Sequence, residues 1–376
     1  MEGEQNMRAL LVGVGAAGNK AVMTTVEKGI IPIEDTMIVN STSKDFPKNY
    51  TGSNKVILSP KNTGCGKERA IARDYALTAL QSGKFNIDTN SYNTVIICTS
   101  VEGGTGSGSA PIIANFFNQV FRKNVHIIAF TGFEEDVRGL GNTVEFFQDI
   151  SDNLVIQVIR NKAFLKEAGG NKFLAEQLAN EEMANRIKIL IGKEFIESDQ
   201  NIDDTDILKL SNTAGFMTVE EAYINEPLVD VSDFNRLTKK MIYDTKSVLP
   251  EDPGAARIGV ILNIKPATEP AIDNSFTDIK KYFGCSYECF LQKQWDGKEE
   301  YIAIIVSGMK MPIEEIRAVY ARYKEENSKV NKTSDTFFTE MKSMTLETSD
   351  SKFDMIKPVQ NNGIAMEEFM KQFQTK

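Results

Sequence analysis

The chain has 376 residues, 41% hydrophobic and 25% charged, which is ordinary for a globular protein with room for two sizeable cores. Its formal net charge of −9 excludes a protein that coats nucleic acid by itself, so no direct nucleic-acid contact is expected. No apolar run is long enough to cross a bilayer, and the start "MEGEQNMRAL" lacks the basic-then-apolar layout of a secretory leader, so no membrane association and a cytoplasmic location are expected.

In chain order, "RALLVGVG" predicts a first strand and Asn19 to Ile30 its helix. "TMIVNST" is a second strand with "KERAIARDYALTAL" as its helix, and "TVIICTS" a third with "PIIANFFNQVF". "VHIIAFTG" is a fourth with "VEFFQDISDNL", and "VIQVIRN" a fifth. This alternation predicts an α/β fold with a parallel sheet covered on both faces, and the nearly continuous apolar character of the strands agrees. The only histidine, His126, falls in the fourth strand and reads as structural. Of the four cysteines, Cys98 reads as a small core residue, and Cys285 with Cys289 are too few for a zinc site, so no protein metal site is expected.

After Gly170, "NKFLAEQLANEEMANRIKILIGKEFIES" is dense in helix formers and has no proline, which predicts a long helix over about 171–198. The acidic loop "DQNIDDTD" follows. Strands "ARIGVILNI" and "EYIAIIVSG", with helices "SDFNRLTKKMIYD" and "PIEEIRAVYARYKEE", predict a smaller α/β domain over about 207–325. From about Asn327 the chain turns polar, with a helical fragment expected at Phe337-Phe338 and then a loosely ordered tail. Met366, Phe369, Met370 and Phe373 fall on one helical face there, either packing on the chain's own domain or docking a partner. The expected division is 1–170, 171–206, 207–325 and 326–376.

The stretch "VEGGTGSGSAP" places four glycines between Gly103 and Gly108, between a strand and a helix. Such a loop lets backbone N–H groups approach an anion, and the helix that follows adds its positive end. Pro111 suits the first turn of that helix. Thr105, Ser107 and Ser109 offer hydroxyls to phosphate or magnesium. A second loop, Gly13-Val-Gly15-Ala-Ala-Gly18-Asn19-Lys20, fits G-x-G-x-x-G, but the end of strand two, Val39-Asn40-Ser41-Thr42, carries no ribose-binding acid, which disfavours an NAD enzyme. Asn19 where a P-loop needs lysine excludes that motif as well. A third loop, Thr63-Gly64-Cys65-Gly66-Lys67, also precedes a helix. Three such loops at one sheet edge imply a polyphosphate ligand.

"GGTGSG" resembles the signature of the tubulin/FtsZ superfamily of GTPases, usually GGGTG[ST]G, with Glu102 standing where the first glycine is usual; "GVGAAGN" resembles the first nucleotide loop of FtsZ. The resemblance covers about 1–325 and implies a Rossmann-like GTP-binding domain, a long central helix, a smaller C-terminal α/β domain and a polar tail, with GTP or GDP and Mg²⁺ as ligands. It implies that Gly13, Gly15, Ala16, Gly18 and Asn19 hold the inner phosphates. Gly103, Gly104, Thr105, Gly106 and Ser107 would wrap the β and γ phosphates, and Gly64 and Gly66 would sense the γ phosphate. Phe133-Glu134 with Arg138 is similar to the family's F-E-x-x-x-R, whose acid binds ribose. Asn161 and Asn180, the latter with Glu181, would read the guanine edge; Phe173 is the nearest aromatic for stacking, at a poor offset.

Asn201-Ile-Asp203-Asp204-Thr-Asp206 resembles the family's N-x-D-x-x-D, which implies that Asn201, Asp203 and Asp206 enter the neighbouring subunit's pocket and orient the attacking water. On spacing alone, these acids equally cap the next helix. A site completed between subunits implies a head-to-tail homopolymer. The polar tail resembles that of the plasmid- and phage-encoded TubZ branch, which implies DNA segregation through a DNA-binding adaptor held by the tail. An FtsZ-like division protein, another phage tubulin and a non-polymerising nucleotide-binding regulator stay open as alternatives.

Overall fold

The computed structural model describes residues 8–340 apart from positions 194 and 286, so the tail and its Met366–Phe373 stripe lie outside the described residues. The first half runs β1 (Ala9–Val14), α1 (Gly15–Glu27), β2 (Thr36–Asn40), β3 (Lys55–Ile57), α2 (Arg69–Gln81), β4 (Thr94–Ser100), α3 (Gly104–Gln119), β5 (Asn124–Thr131), α4 (Val137–Gln148), β6 (Val155–Arg160) and α5 (Lys172–Leu190). The second half runs α6 (Asp204–Ser211), β7 (Gly215–Tyr223), α7 (Val231–Tyr243), β8 (Arg257–Asn263), α8 (Thr277–Phe283), β9 (Glu288–Gln294), β10 (Tyr301–Met309) and α9 (Ile313–Glu340).

All these strands form one sheet in the order β3-β2-β1-β4-β5-β6-β7-β10-β8-β9. The pairings from β3 to β6 are parallel, as the alternation predicts. The side-chain period of two then sorts the core. Leu11, Ile38, Ile96 and Ile128 face Ala21 and Val22 of α1 and Met183 and Ile187 of α5. Leu10, Val12, Ile97 and Ile127 face Ala76 of α2, Ile113 and Phe117 of α3 and Phe146 of α4. Each fully buried aliphatic side chain contributes about 2 kcal/mol. His126 is likewise buried, accepts from Gln157 Nε2 at 3.2 Å, and burial lowers its pKa to about 3; it is structural and neutral. The two halves share this sheet: β6 pairs with β7 through Val155↔Gly215 and Ile156↔Phe216.

Several boundaries differ from the sequence reading. The helix α3 starts at Gly104, inside the glycine run, so Pro111 lies in its interior. Proline lacks the N–H that would bond the carbonyl four residues back. That carbonyl, on Ser107, instead accepts from the buried Arg69 guanidinium at 2.9 Å. The central helix ends at Leu190 rather than 198. Gly192, at φ +66°, turns the chain there, with Gly192 N–H bonded to Ile189 and Lys193 N–H to Lys188, a glycine stop that closes the last carbonyls. The fragment expected at Phe337-Phe338 is the continuation of α9.

The strand β7, "GFMTVEEAY", is hidden in the sequence by its charge. Glu220 on it is 5% exposed and accepts from the hydroxyls of Thr218, Thr245 and Ser247. Arg186 of α5, 1% exposed, donates to Ser247 Oγ and to Glu182, both at 2.7 Å, with its guanidinium 3.7 Å from Glu220. A buried charged network therefore fastens the central helix to the second half of the sheet.

Candidate functional site

The carboxyl ends of β1, β4 and β5 open onto a cleft of about 940 Å³. It is lined by residues from α1 (Ala16, Lys20), the loop before α2 (Lys67), the β5–α4 loop (Phe133, Glu135, Asp136), the end of β6 (Asn161) and α5 (Glu176, Asn180). The N-termini of α1 and α3 meet here. A Cβ on Gly15, which has φ +79°, would lie 3.0 Å from Gly106 N. Two helix starts so close together present their unpaired N–H groups and positive ends to one small volume, which is the chemistry of an anion site.

The glycines divide by what they do. A Cβ on Gly18 would sit 2.0 Å from the Cys98 carbonyl oxygen, on Gly104 2.5 Å from Lys67 Cα, and on Gly106 2.6 Å from Thr99 Oγ1. These three let helices and loops approach strands closely. Gly13 does the same for Asn19. A Cβ on Gly64, Gly66 or Gly103 would meet nothing within 4 Å; these three border open space. The run is therefore a tightly packed helix start, with only Gly103 ahead of it as a loop residue, where an anion-binding loop preceding the helix was expected.

Other expected phosphate contacts are engaged elsewhere. Asn19 is fully buried and pairs with the main chain of Val39 in both directions at 3.3 Å, pinning β2 to α1 away from the cleft. The hydroxyls of Ser107 and Ser109 bond the carbonyls of Gly103 and Ala72. Thr105 Oγ1 lies 3.0 Å from Ser41 Oγ and 3.1 Å from Cys65 Sγ.

The expected ribose acid, Glu134, is engaged with a distant helix. Glu134, at φ +57°, turns its carboxylate to Arg322 of α9, which also donates to the Glu134 carbonyl at 3.0 Å. Glu135 is the loop acid that lines the cleft. Arg138 pairs with Glu68 and reaches the Gly66 carbonyl at 3.5 Å, so it braces the loop before α2. Glu102 fills the corner between the two loops: it accepts from Glu134 N–H at 3.2 Å, and Gly132 has no side chain to obstruct it. Burial pushes the Glu102 carboxyl above the ordinary glutamate range, and the nearby charges of Glu134 and Asp136 add to that.

Asn161 and Asn180, expected to read a base edge, both line the cleft, together with Glu176. Asn161 is 8% exposed, and its Oδ1 has no hydrogen-bond partner. A buried acceptor left unpaired in a cleft costs free energy unless a ligand donor satisfies it. Glu181 instead pairs with Lys28 at 3.6 Å. Phe173 is 65% exposed and does not line the cleft, whereas Phe133, beneath Lys172, does. Sequence reasoning missed Lys20, paired with Glu176 at 3.5 Å, and Lys67; each directly follows a glycine loop, which was the available signal.

The acidic loop lies at the far end of α5. Nineteen helical residues span about 28 Å, and Lys193 beyond them donates to the Ile30 carbonyl, past the far end of α1, at 2.9 Å. Asn201, Asp203 and Asp204 line an open groove with Phe195, Thr205 and Gln292. Asp203 caps α6, its Oδ1 accepting from Asp206 N–H at 2.8 Å, as the capping alternative anticipates. Asp203 is nonetheless exposed, and Asp206, on the first turn, is 3.5 Å from Lys209. Asn201 accepts from Ser198 N–H at 2.8 Å and so shapes the turn. None of the three reaches the cleft of its own chain.

A parallel sheet with two helix starts meeting at its carboxyl edge defines a doubly wound α/β anion-binding domain. Residues 8–169 match the model described as "Tubulin/FtsZ family, GTPase domain". The tubulin-like protein CetZ1 of Haloferax volcanii is 25% identical over 57% of this chain and 58% of its own length. This chain therefore spans a little over half of CetZ1. The cell division protein FtsZ 1 of Methanocaldococcus jannaschii is 25% identical over 62% of this chain and 68% of its own. A solved GTPγS-form protofilament of Bacillus thuringiensis serovar israelensis TubZ superposes with a TM-score of 0.66 at 16% identity, over 88% of this chain and 95% of that one. The fold is that of the tubulin/FtsZ group.

Proposed function

We propose that this chain binds GTP in the cleft, stacks head to tail, and hydrolyses the nucleotide at the seam between copies. The observation that carries the reading is the separation of two complementary half-sites: an anion cleft with an unpaired Asn161 acceptor at one end, and exposed acids without a partner site in their own chain at the other. Main-chain N–H groups at the starts of α1 and α3 hold the phosphates. Asn161 Oδ1 accepts from the N–H groups of guanine, and Asn180 completes the base edge. Glu135, in place of Glu134, is positioned for the ribose hydroxyls. Gly64 and Gly66 border the space where the outermost phosphate would lie.

In the stacked arrangement Asp203 and Asp206 orient a water toward the γ phosphate of the neighbour, with Asn201 fixing the turn that carries them. Phosphoryl transfer depends mainly on such positioning and on charge neutralisation. Magnesium bound with the triphosphate would supply part of that neutralisation. Such an ion would keep several waters and bind chiefly to phosphate oxygens.

Such a contact is heterologous and does not close, so it grows filaments. The finer reading is that these filaments move plasmid or phage DNA through an adaptor bound by the C-terminal tail. It is supported by the net charge of −9, which leaves DNA to a partner, and by the likeness to TubZ. An FtsZ-like role in division is the second reading, favoured by the FtsZ 1 relative. Electron microscopy and phosphate release after adding GTP test the core of the proposal: filaments with GTP and none with GDP are expected. Protein that binds neither nucleotide sinks it.

A further inference from the structure

The helix α9 stands outside the cleft, and among the described residues none of it lines that space. It touches the chain one residue ahead of two that do. Glu315 Oε2 lies 3.5 Å from Arg160 Nη2, just before Asn161. Arg322 pairs with the Glu134 carboxylate and donates to the Glu134 carbonyl at 3.0 Å, just before Glu135. Positions 315 and 322 are about two helical turns apart and so share a face. Val319 and Tyr323, on the same face, pack on Leu140 and Val144 of α4, and a Cβ on Gly141 would come within 3.1 Å of the Tyr323 ring. One face of α9 is thus laid along both segments that bring Asn161 and Glu135 to the cleft.

The two attachments are unequal. Arg160 is already secured by the chain ahead of β8: its N–H donates to the Lys246 carbonyl and its Nη1 to the Ser247 carbonyl, both at 2.8 Å. Asn161 therefore keeps its place without Glu315. Glu134 has φ +57°, a left-handed conformation that a glutamate holds only where its surroundings impose it. Glu102 grips it from one side, accepting from Glu134 N–H at 3.2 Å, and Arg322 from the other. Lys162 stands 3.8 Å from the carboxylate, beyond hydrogen-bond distance. Downstream the chain is fixed again, because Asp136 caps α4 through Gly139 N–H at 2.7 Å. Rotation about the Glu134 backbone therefore moves chiefly Glu135. A half-exposed ion pair adds little to stability, but the Arg322 fork also holds a carbonyl and so fixes direction.

We propose that Arg322 is a positioning residue: by holding Glu134 in its left-handed turn, α9 aims Glu135 at the ribose of a bound nucleotide and sets how strictly the cleft selects a ribose. This rests on the nucleotide reading above. Arg322 itself does not touch the nucleotide. Without it Glu134 relaxes toward the ordinary backbone regions and turns Glu135 out of the cleft. The helix starts that hold the phosphates stay closed, because their packing against Cys98, Lys67 and Thr99 does not involve α9.

Displacement of a fluorescent guanine nucleotide, at protein concentrations too low for assembly, measures the affinities for GDP and for 2′,3′-dideoxy-GDP. The native protein should prefer GDP about tenfold. Arg322→Met should weaken GDP about fivefold and leave the dideoxy form almost unchanged. Arg322→Lys, which reaches one acceptor only, should recover part of the preference. Glu135→Ala should abolish the preference, and adding Arg322→Met to it should change nothing further. Glu315→Gln, which loosens the same face of α9 without touching Glu134, should leave the preference at the native value. A preference that survives Arg322→Met overturns the proposal, as does equal weakening of both nucleotides, or a loss matched by Glu315→Gln. Native protein that binds GDP without regard to the ribose hydroxyls removes Glu135 from the ribose and overturns the proposal with it. Native protein that binds no guanine nucleotide overturns the nucleotide reading itself.

Discussion

The two ends of α5 are built from different material. At the cleft, the binding surface is main chain: helix starts brought together by glycines whose missing Cβ atoms would otherwise strike backbone. At the acidic groove, the exposed chemistry is carried by side chains on a short capped helix. A cradle of backbone can be removed only by deforming the fold, whereas a row of carboxylates can be neutralised and leave the fold intact. The two ends should therefore fail in different ways.

The largest expected effect is at the cradle. Gly18→Ala puts a Cβ into the Cys98 carbonyl, inside the β4–α1 packing. Overpacking backbone there should cost about 3 kcal/mol, even though alanine favours helix. Thermal melting reads this as a fall of several degrees, and a melting temperature equal to the native one would mean that the cradle is not held as tightly as its geometry implies. Next come the acids. Asp203→Asn with Asp206→Asn keeps a cap on α6 yet should lower phosphate release about 100-fold, leaving nucleotide affinity within about twofold of the native protein. Unchanged turnover in filaments of this variant would erase the distinction between the ends.

Smaller effects sharpen the comparison within the cleft. Asn161→Ala removes the unpaired acceptor and should weaken GTP about tenfold, with a reduced preference for GTP over ITP. Competition binding with the two nucleotides checks this, and an unaltered preference would take Asn161 off the base edge. The smallest effect is a pH dependence. Burial raises the Glu102 carboxyl in the folded state, so folding is disfavoured once pH exceeds its unfolded value, near 4.5, and more so as pH rises through the folded value. Glu102→Gln should accordingly stabilise the protein at neutral pH, with the advantage vanishing below about pH 4.5. Melting curves of both proteins from about pH 4, near the usual carboxylate range, up to about pH 8 would show the two converge at the acid end.

Much of the architecture was legible because apolar strands alternate with helices; β4 falls on "TVIICTS" residue for residue. Asn161 and Asn180 were singled out only by the family resemblance, and both line the cleft. What escaped depends on contacts distant in sequence. Glycine propensity argues against a helix at Gly104, yet packing against Lys67 and Thr99 imposes one. A proline at position 111 reads as a helix start until Arg69 is seen to take over the carbonyl it abandons. Glu220 makes β7 look like a surface segment because its partners, Arg186 and Ser247, lie tens of residues away. Two adjacent glutamates, Glu134 and Glu135, cannot be told apart by spacing; Glu134 pairs with Arg322 while Glu135 lines the cleft.

The pairing of Asn19 with Val39 shows how little the cradle asks of side chains that face a ligand: here even the motif's amide serves the scaffold. A grip made of peptide groups is indifferent to much of the lettering around it, provided the chain can still bend and close-pack where it must. This chain and CetZ1 agree at 25% of positions over the 236 residues that they share. Divergence should then accumulate first in the lysines and acids that rim the opening, which makes the rim the place where members of such a group acquire individual habits.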